Sequence, residues 1–174
     1  PASACVSVNE VIVHGIPSKS KKLREGDIVS VDAGAIYQGW YSDMARTYAV
    51  GEISPEAAKL VRVTEESFFE GLKYCVAGNY LSNGFGVIRD YVGHGLGREM
   101  HEQPPVPNYG RPGRGPKLKK GMVLAIEPMV SAGSYAVKVL PDEWTAVTGD
   151  GSLAAHYENT VVITDAEPLV ITLL

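Results

Sequence analysis

Four carboxylates in this 174-residue chain fall inside or against apolar runs, where an acid needs a reason to be. Asp32 interrupts the run Ile28–Val31 and is followed by Ala33, Gly34 and Ala35. Asp43 lies 11 residues on, in the segment that should pair with the first across a turn. Glu127 closes Met122–Ile126 directly before Pro128, and Glu158 opens Asn159–Ile163. An ionised carboxylate in an apolar strand is costly unless a cation or hydrogen bonds compensate it. A single acid has an ordinary explanation, because alternate side chains on a strand face solvent. Four in separate strands are different: a pairing sheet can gather them, and their repulsion would raise their pKa values unless metal ions neutralised it.

A histidine joins the set. Gly93-His94-Gly95-Leu96-Gly97 surrounds His94 with glycines, which leaves room for something to approach the imidazole closely. The stretch opens no helix pattern, so it is no dinucleotide fingerprint. Four acids and one imidazole form a hard, oxygen-rich donor set suited to Co, Mn, Fe or Zn, and the carboxylate count points to two divalent ions sharing bridging ligands. Such a pair activates a water and polarises a carbonyl together, so the implied chemistry is hydrolysis. His14 and His101, each flanked by turn-formers, read either as surface residues or, beside a metal centre, as donors to a substrate carbonyl and its tetrahedral intermediate.

These residues need strands to position them. Apolar runs rich in Val and Ile predict strands at Val6–Ile16, Asp27–Ile36, Tyr41–Val50, Gly86–Tyr91, Met122–Val130, Tyr135–Leu140 and Tyr157–Thr164. Gly39 marks one hairpin turn, and Gly133-Ser134 a second. One helix is clearly written: Ser54-Pro55-Glu56 caps and opens it, Ala57, Leu60, Val61, Phe68 and Leu72 recur at helical spacing, and the pattern stops by Gly78. The fold class is α+β, a mainly antiparallel sheet with one face under helix.

Composition bounds the rest. A chain of this length suits one domain, 1–174, and its 45% hydrophobic and 21% charged residues are those of a globular protein. A net charge of −4 argues against nucleic-acid binding through general basicity, and the basic run Lys19–Arg24 reads as a solvated turn. Cys5 and Cys75 form no CxxC pair, which favours a reducing cytoplasm. No apolar stretch is long enough to span a bilayer, and no signal segment opens the chain, which begins at Pro1 as though something upstream were removed.

Taken together, Cys5-Val6-Ser7-Val8-Asn9-Glu10 through His14-Gly15-Ile16-Pro17, Gly26–Asp32, Gly93–Gly97, His101-Glu102 with Pro104, Gly121–Met129 and Tyr157-Glu158 resemble the type I methionine aminopeptidases, from Ala4 to about Thr172. The resemblance implies a pita-bread fold, a curved antiparallel sheet covered by helices. It implies that Asp32 binds one metal, His94 and Glu127 the other, and that Asp43 and Glu158 bridge the two. Glu127 would also relay a proton from the attacking water, His101 would hold the scissile carbonyl, and His14 would contact the peptide near the leaving nitrogen. Cys5, Met100 and Trp144 match positions lining the pocket for the methionine side chain. The substrates implied are peptides and nascent proteins with N-terminal methionine and a small second residue, in the cytoplasm, with the ribosome as a candidate partner.

The chain departs from the family's pattern in places. The N-terminal helical segment is absent, and the span from Gly78 to Gly84 is shorter, as though part of the helical layer were missing. These losses should uncover apolar sheet surface and favour self-association. Met100 replaces a common aromatic, and Asn159 the usual histidine. Two alternatives stay open: an Xaa-Pro aminopeptidase with the same five ligands, and a non-catalytic, shortened domain that binds peptides without cleaving them.

Overall fold

The computed structural model describes residues 2–82, 88–111 and 113–173. Among these residues the first half of the chain forms β1 (Cys5–Val8), β2 (Val11–Val13), β3 (Ile28–Tyr37), β4 (Trp40–Ala49), the helix α1 (Pro55–Leu72), β5 (Tyr80–Ser82) and β6 (Gly93–Gly95). The second forms β7 (Glu102–Val106), β8 (Arg114–Lys117), β9 (Val123–Ile126), β10 (Met129–Ser131), β11 (Val137–Val139) and β12 (Ala146–Thr148). It closes with β13 (Ala154–His156), β14 (Glu158–Val162) and β15 (Leu169–Val170).

The main sheet is antiparallel in the order β1-β3-β4-β14-β9-β6-β7, with β15 added to β14. Its long hairpin turns at Gln38-Gly39, both at positive φ (51° and 77°), the geometry that matches the twist of the flanking strands. Two predicted strands are broken by local chemistry. Asn9 takes a positive φ and splits Val6–Ile16 into β1 and β2, while its side chain donates to Asp27 and accepts from the Ile28 N–H. Pro128 has no N–H to give a ladder, so the chain leaves the main sheet after Ile126 and joins β13 through β10.

Other expectations need correction. Gly133-Ser134 is a connection between two separate sheets, since β10 pairs with β13 and β11 with β12, and no hairpin forms there. Of the strand expected at Gly86–Tyr91, positions 86 and 87 lie outside the described residues and 88–91 are not strand. In the span 78–84, Gly78 takes a positive φ and β5 begins at Tyr80, while positions 83 and 84 lie outside the described residues.

The helix forms as its sequence dictates. Ser54 accepts a hydrogen bond from the Ala57 N–H at 3.1 Å, and Ala57, Leu60, Thr64 and Phe68 make its buried face. Phe68 is fully buried in a cluster with Leu124, Ile126 and Val161, all on one side of the main sheet. The opposite side is left to other residues. At the far end of the β3–β4 hairpin Ile36, Tyr37 and Trp40 are exposed. The basic run Lys19–Arg24 is an exposed loop, and no helix among the described residues is long and apolar enough to cross a membrane.

Candidate metal centre

Strand register decides where the five side chains point. Cross-strand partners share a face, as do residues two apart on one strand. Asp32 lies opposite Ala45, and Asp43 opposite Gly34, so both acids share a face of the hairpin. Glu158 also pairs with Ala45, which carries that face onto β14. From there Thr160 pairs with Ala125, and Ala125 with His94. The same register continued by one residue sets Glu127 opposite Glu158. Five neighbouring strands therefore each bring one donor to a single face, among small residues such as Gly34, Ala45 and Ala125. It is the side opposite Leu124, Ile126 and Val161, which pack under the helix.

The donors are close, three of them buried and Asp32 and Glu127 half-buried. The ligand atoms of Asp43, His94 and Glu158 lie within 4.8 Å of one another, and all three residues are buried. His94 Nε2 is 3.9 Å from Asp43 Oδ2 and 3.6 Å from Glu127 Oε1. Its Nδ1 sits 2.9 Å from the Gly95 carbonyl, which can only accept, so Nδ1 holds the proton and Nε2 presents a lone pair to the carboxylates. Thr160 Oγ1 clamps Asp43, donating to its carbonyl and accepting from its N–H. Arg46 ties the backs of the two strands together, donating to the Ala45 and Glu158 carbonyls and to Asn159 Oδ1.

Charge crowding is the dominant feature. Burial, then the neighbouring Asp43, pushes the Asp32 carboxyl up to about 7. Burial also raises Asp43. Glu127 is pushed well above the ordinary glutamate range by burial and then by the charges of Asp32 and Asp43. Glu158 rises likewise through burial and the charges of Glu127, Asp43 and Asp32, and its buried Oε1 has no hydrogen-bond partner among the described residues. Such a cluster is compensated when cations stand among the oxygens, and carboxylates with an unprotonated imidazole nitrogen are the donors a divalent metal takes. The residues present fit the group.

A cleft of about 630 Å³ opens onto this face, lined by Asp32, His94, Glu127, His14 and His101 among others. His101 is exposed on its rim, its ring centre 4.3 Å from that of His94. His14 follows β2 with a φ of 61°, a conformation a non-glycine residue adopts only when its surroundings hold it. Trp144 stacks on its ring at 4.7 Å and Tyr91 meets it edge-on at 5.5 Å. Burial lowers the pKa of His14, so its imidazole is neutral at pH 7. Cys5, Met100 and Trp144 are not among the cleft's described lining. Cys5 pairs with Asp32 on the same face of the sheet, its thiol raised by burial and then by the charges of Asp32 and Asp43. Met100 covers Gly34, and Trp144 is half-exposed behind His14.

The glycines around His94 serve a different end from the one their sequence suggests. A Cβ on Gly93 would stand 2.2 Å from the Ala125 carbonyl oxygen, and one on Gly95 2.3 Å from that of Gln103. They let β9 and β7 close on β6 rather than admit a ligand. Gly93→Ala is therefore expected to push His94 away from its neighbours. It should cost about 2–3 kcal/mol of stability and weaken metal binding with it, as a urea melt and a metal titration would both register.

One residue of the centre escaped sequence reasoning. His156, fully buried, faces Glu127 and Glu158 from β13. Burial, then His14, pushes its pKa down to about 3, so the ring is neutral. Its signal was the spacing of two from Glu158 within an apolar run, which gives both side chains one face.

Comparison with known proteins bears on this geometry. A profile of metallopeptidase family M24 matches residues 1–165. The methionine aminopeptidase of Clostridium acetobutylicum is 62% identical over 99% of this chain and 74% of its own length. Methionine aminopeptidase 1 of Bacillus subtilis is 53% identical over 94% of this chain and 70% of its own. The crystal structure of methionine aminopeptidase from Thermotoga maritima superposes with a TM-score of 0.94 at 54% identity, covering 97% of this chain and 73% of that one.

Proposed function

The chain belongs to metallopeptidase family M24, among its methionine aminopeptidases with their α+β pita-bread fold, and from that we propose that Asp32, Asp43, His94, Glu127 and Glu158 hold two divalent metal ions. The observation that carries this reading is the gathering of all five on one sheet face, with the carboxylates crowded and one oxygen without a partner among the described residues. Co, Mn, Fe and Zn all suit the donors. Ions bound there supply a Lewis acid for the scissile carbonyl and acidify the attacking water.

The chain's own side chains do the rest. His101, on the cleft rim beside His94, donates to the scissile carbonyl oxygen and to the tetrahedral intermediate. Glu127, at the edge of the cleft beside His94, passes a proton from the attacking water to the leaving amine. His14, held at positive φ against Trp144, contacts the peptide near the leaving nitrogen. Cys5 beside Asp32, Met100 over Gly34 and Trp144 stacked on His14 would wall a methionine pocket next to the cleft, apolar enough for a thioether. Residues 1–174 act as one catalytic domain. Substrates are peptide N-termini, those of nascent proteins with a small second residue among them, with the ribosome as the partner and the cytoplasm, which suits free Cys5 and Cys75, as the compartment.

The test is a peptide panel. Met-Ala-Ser should be cleaved in preference to Ala-Pro-Ser, and the reverse order would move the assignment to an Xaa-Pro peptidase. In the same assay His101→Ala is expected to lower kcat by about 10²–10³-fold, with metal stoichiometry by calorimetry unchanged.

A further inference from the structure

Glu127 stands between two imidazoles. Its Oε1 is 3.6 Å from His94 Nε2, and its Oε2 is 3.7 Å from His156 Nε2. The second imidazole also reaches Glu158, with Nε2 4.0 Å from Oε2. His156 is only 2% exposed, and its Nε2 has no hydrogen-bond partner among the described residues. A buried polar nitrogen left without a partner is costly, so such an atom in a native structure calls for an explanation.

The ring is not there by accident of packing. Thr47 Oγ1 accepts from the His156 N–H at 2.9 Å and donates to its carbonyl at 2.8 Å, which pins this residue to β4. Pairing with Met129 sets it against β10, just past Glu127. Its Nε2 faces carboxylate oxygens of Glu127 and Glu158, and a carboxylate kept ionised by a bound cation can only accept. The proton of a neutral ring in that position belongs on Nε2. His94 shows the opposite arrangement, with its proton on Nδ1 and its Nε2 free for a metal.

We propose that His156 is a positioning residue of the metal centre, donating its Nε2–H to Glu127 and Glu158 from the side away from His94 and so fixing which carboxylate oxygens are offered to the ions. This rests on the reading of Glu127 and Glu158 as metal ligands. Donation to both carboxylates requires the separations of 3.7 and 4.0 Å to close to hydrogen-bond length when metal is bound. The role differs from that of the five donors: His156 touches no ion, and it orients groups that do.

Two measurements test it together. Calorimetric titration with Mn compares the wild type with His156→Gln, which keeps an N–H donor, and His156→Met, which keeps the bulk and loses the donor. His156→Gln should bind within about threefold of the wild type, and His156→Met about 10–100-fold more weakly. Nitrogen-15 NMR of the histidines in the zinc-loaded wild type reads the tautomer without any substitution, and should show Nε2 of His156 protonated. Equal binding by His156→Met, equal loss in both variants, or an unprotonated Nε2 in the zinc-loaded protein each overturns the proposal, the last two pointing to direct ligation. If His156→Met does not fold, the wild-type tautomer alone decides. A wild type that binds no metal overturns the ligand reading and this role with it, whereas a metal-binding wild type matched by His156→Met overturns this role alone.

Discussion

Glu158→Gln is expected to make the metal-free chain more stable while ending its capacity to hold metal and cleave peptide. Glu158 is 2% exposed, its Oε1 without a partner among the described residues, and the charges of Glu127, Asp43 and Asp32 raise its pKa after burial has done so. In the unfolded chain the same carboxyl ionises freely, so at pH 7 the folded state is disfavoured by holding it. An amide of the same shape carries no such penalty, and the metal-free variant should gain on the order of 2 kcal/mol in urea unfolding at pH 7. The same change removes a ligand from the central strand of the site. Metal affinity should drop by at least about 100-fold and kcat/KM by about 10³-fold or more. A variant that lost stability and activity together would show Glu158 to be a structural acid.

The pH dependence of the metal-free chain should run in an unusual direction. Most folded proteins hold their carboxylates ionised by hydrogen bonds, as Asp27, Asp142 and Asp150 are here, Asp150 down to about 2. Those groups lose their contribution only as pH falls through the acid range. The four acids of the centre have the opposite sign. With folded pKa values raised, the native state binds more protons than the unfolded one, so stability declines as pH rises from about 4 through the folded values, about 7 for Asp32. His14, His94 and His156 oppose this below pH 6.5, because their lowered pKa values mean that the unfolded state binds the extra proton there. Above 6.5 that opposition fades as the unfolded histidines lose their protons, and the carboxylates dominate. The metal-stripped chain should therefore melt at a lower temperature at pH 8 than at pH 6.5. The loaded chain should melt higher than the stripped one by a margin that widens over the same interval, since binding requires ionised ligands. A stripped chain whose melting temperature rose from pH 6.5 to 8 would contradict this electrostatic picture.

Much of the centre could be read from the sequence because its acids break apolar runs, and alternation on paired strands then brings them together. Asp32 and Asp43 are 11 residues apart, but the turn at Gln38-Gly39 makes that separation a diagonal pair on one face. The helix was equally legible, its cap and buried positions being local signals. What escaped depends on pairing between distant strands. The short strands β6, β7 and β12 carry too few residues for any periodicity, and the glycines of β6 are explained only by carbonyls of β9 and β7 that lie far along the chain. His156 was hidden for the same reason. Nothing beside it in sequence reveals that β13 and the end of β9 meet, and only there does its imidazole face Glu127. Breaks at Asn9 and Pro128, by contrast, were written in residue types that leave a ladder readily.

The central claim is that five side chains on one sheet face hold metal and that metal switches on cleavage. Titrating the metal-stripped chain with Mn in a calorimeter, with Met-Ala-Ser hydrolysis followed in parallel and Asp43→Ala as the comparison, tests it most directly. The account predicts up to two ions bound, hydrolysis that appears as they bind, and neither in Asp43→Ala. Metal binding that survives unchanged in Asp43→Ala, or hydrolysis that persists in the stripped chain, would contradict it.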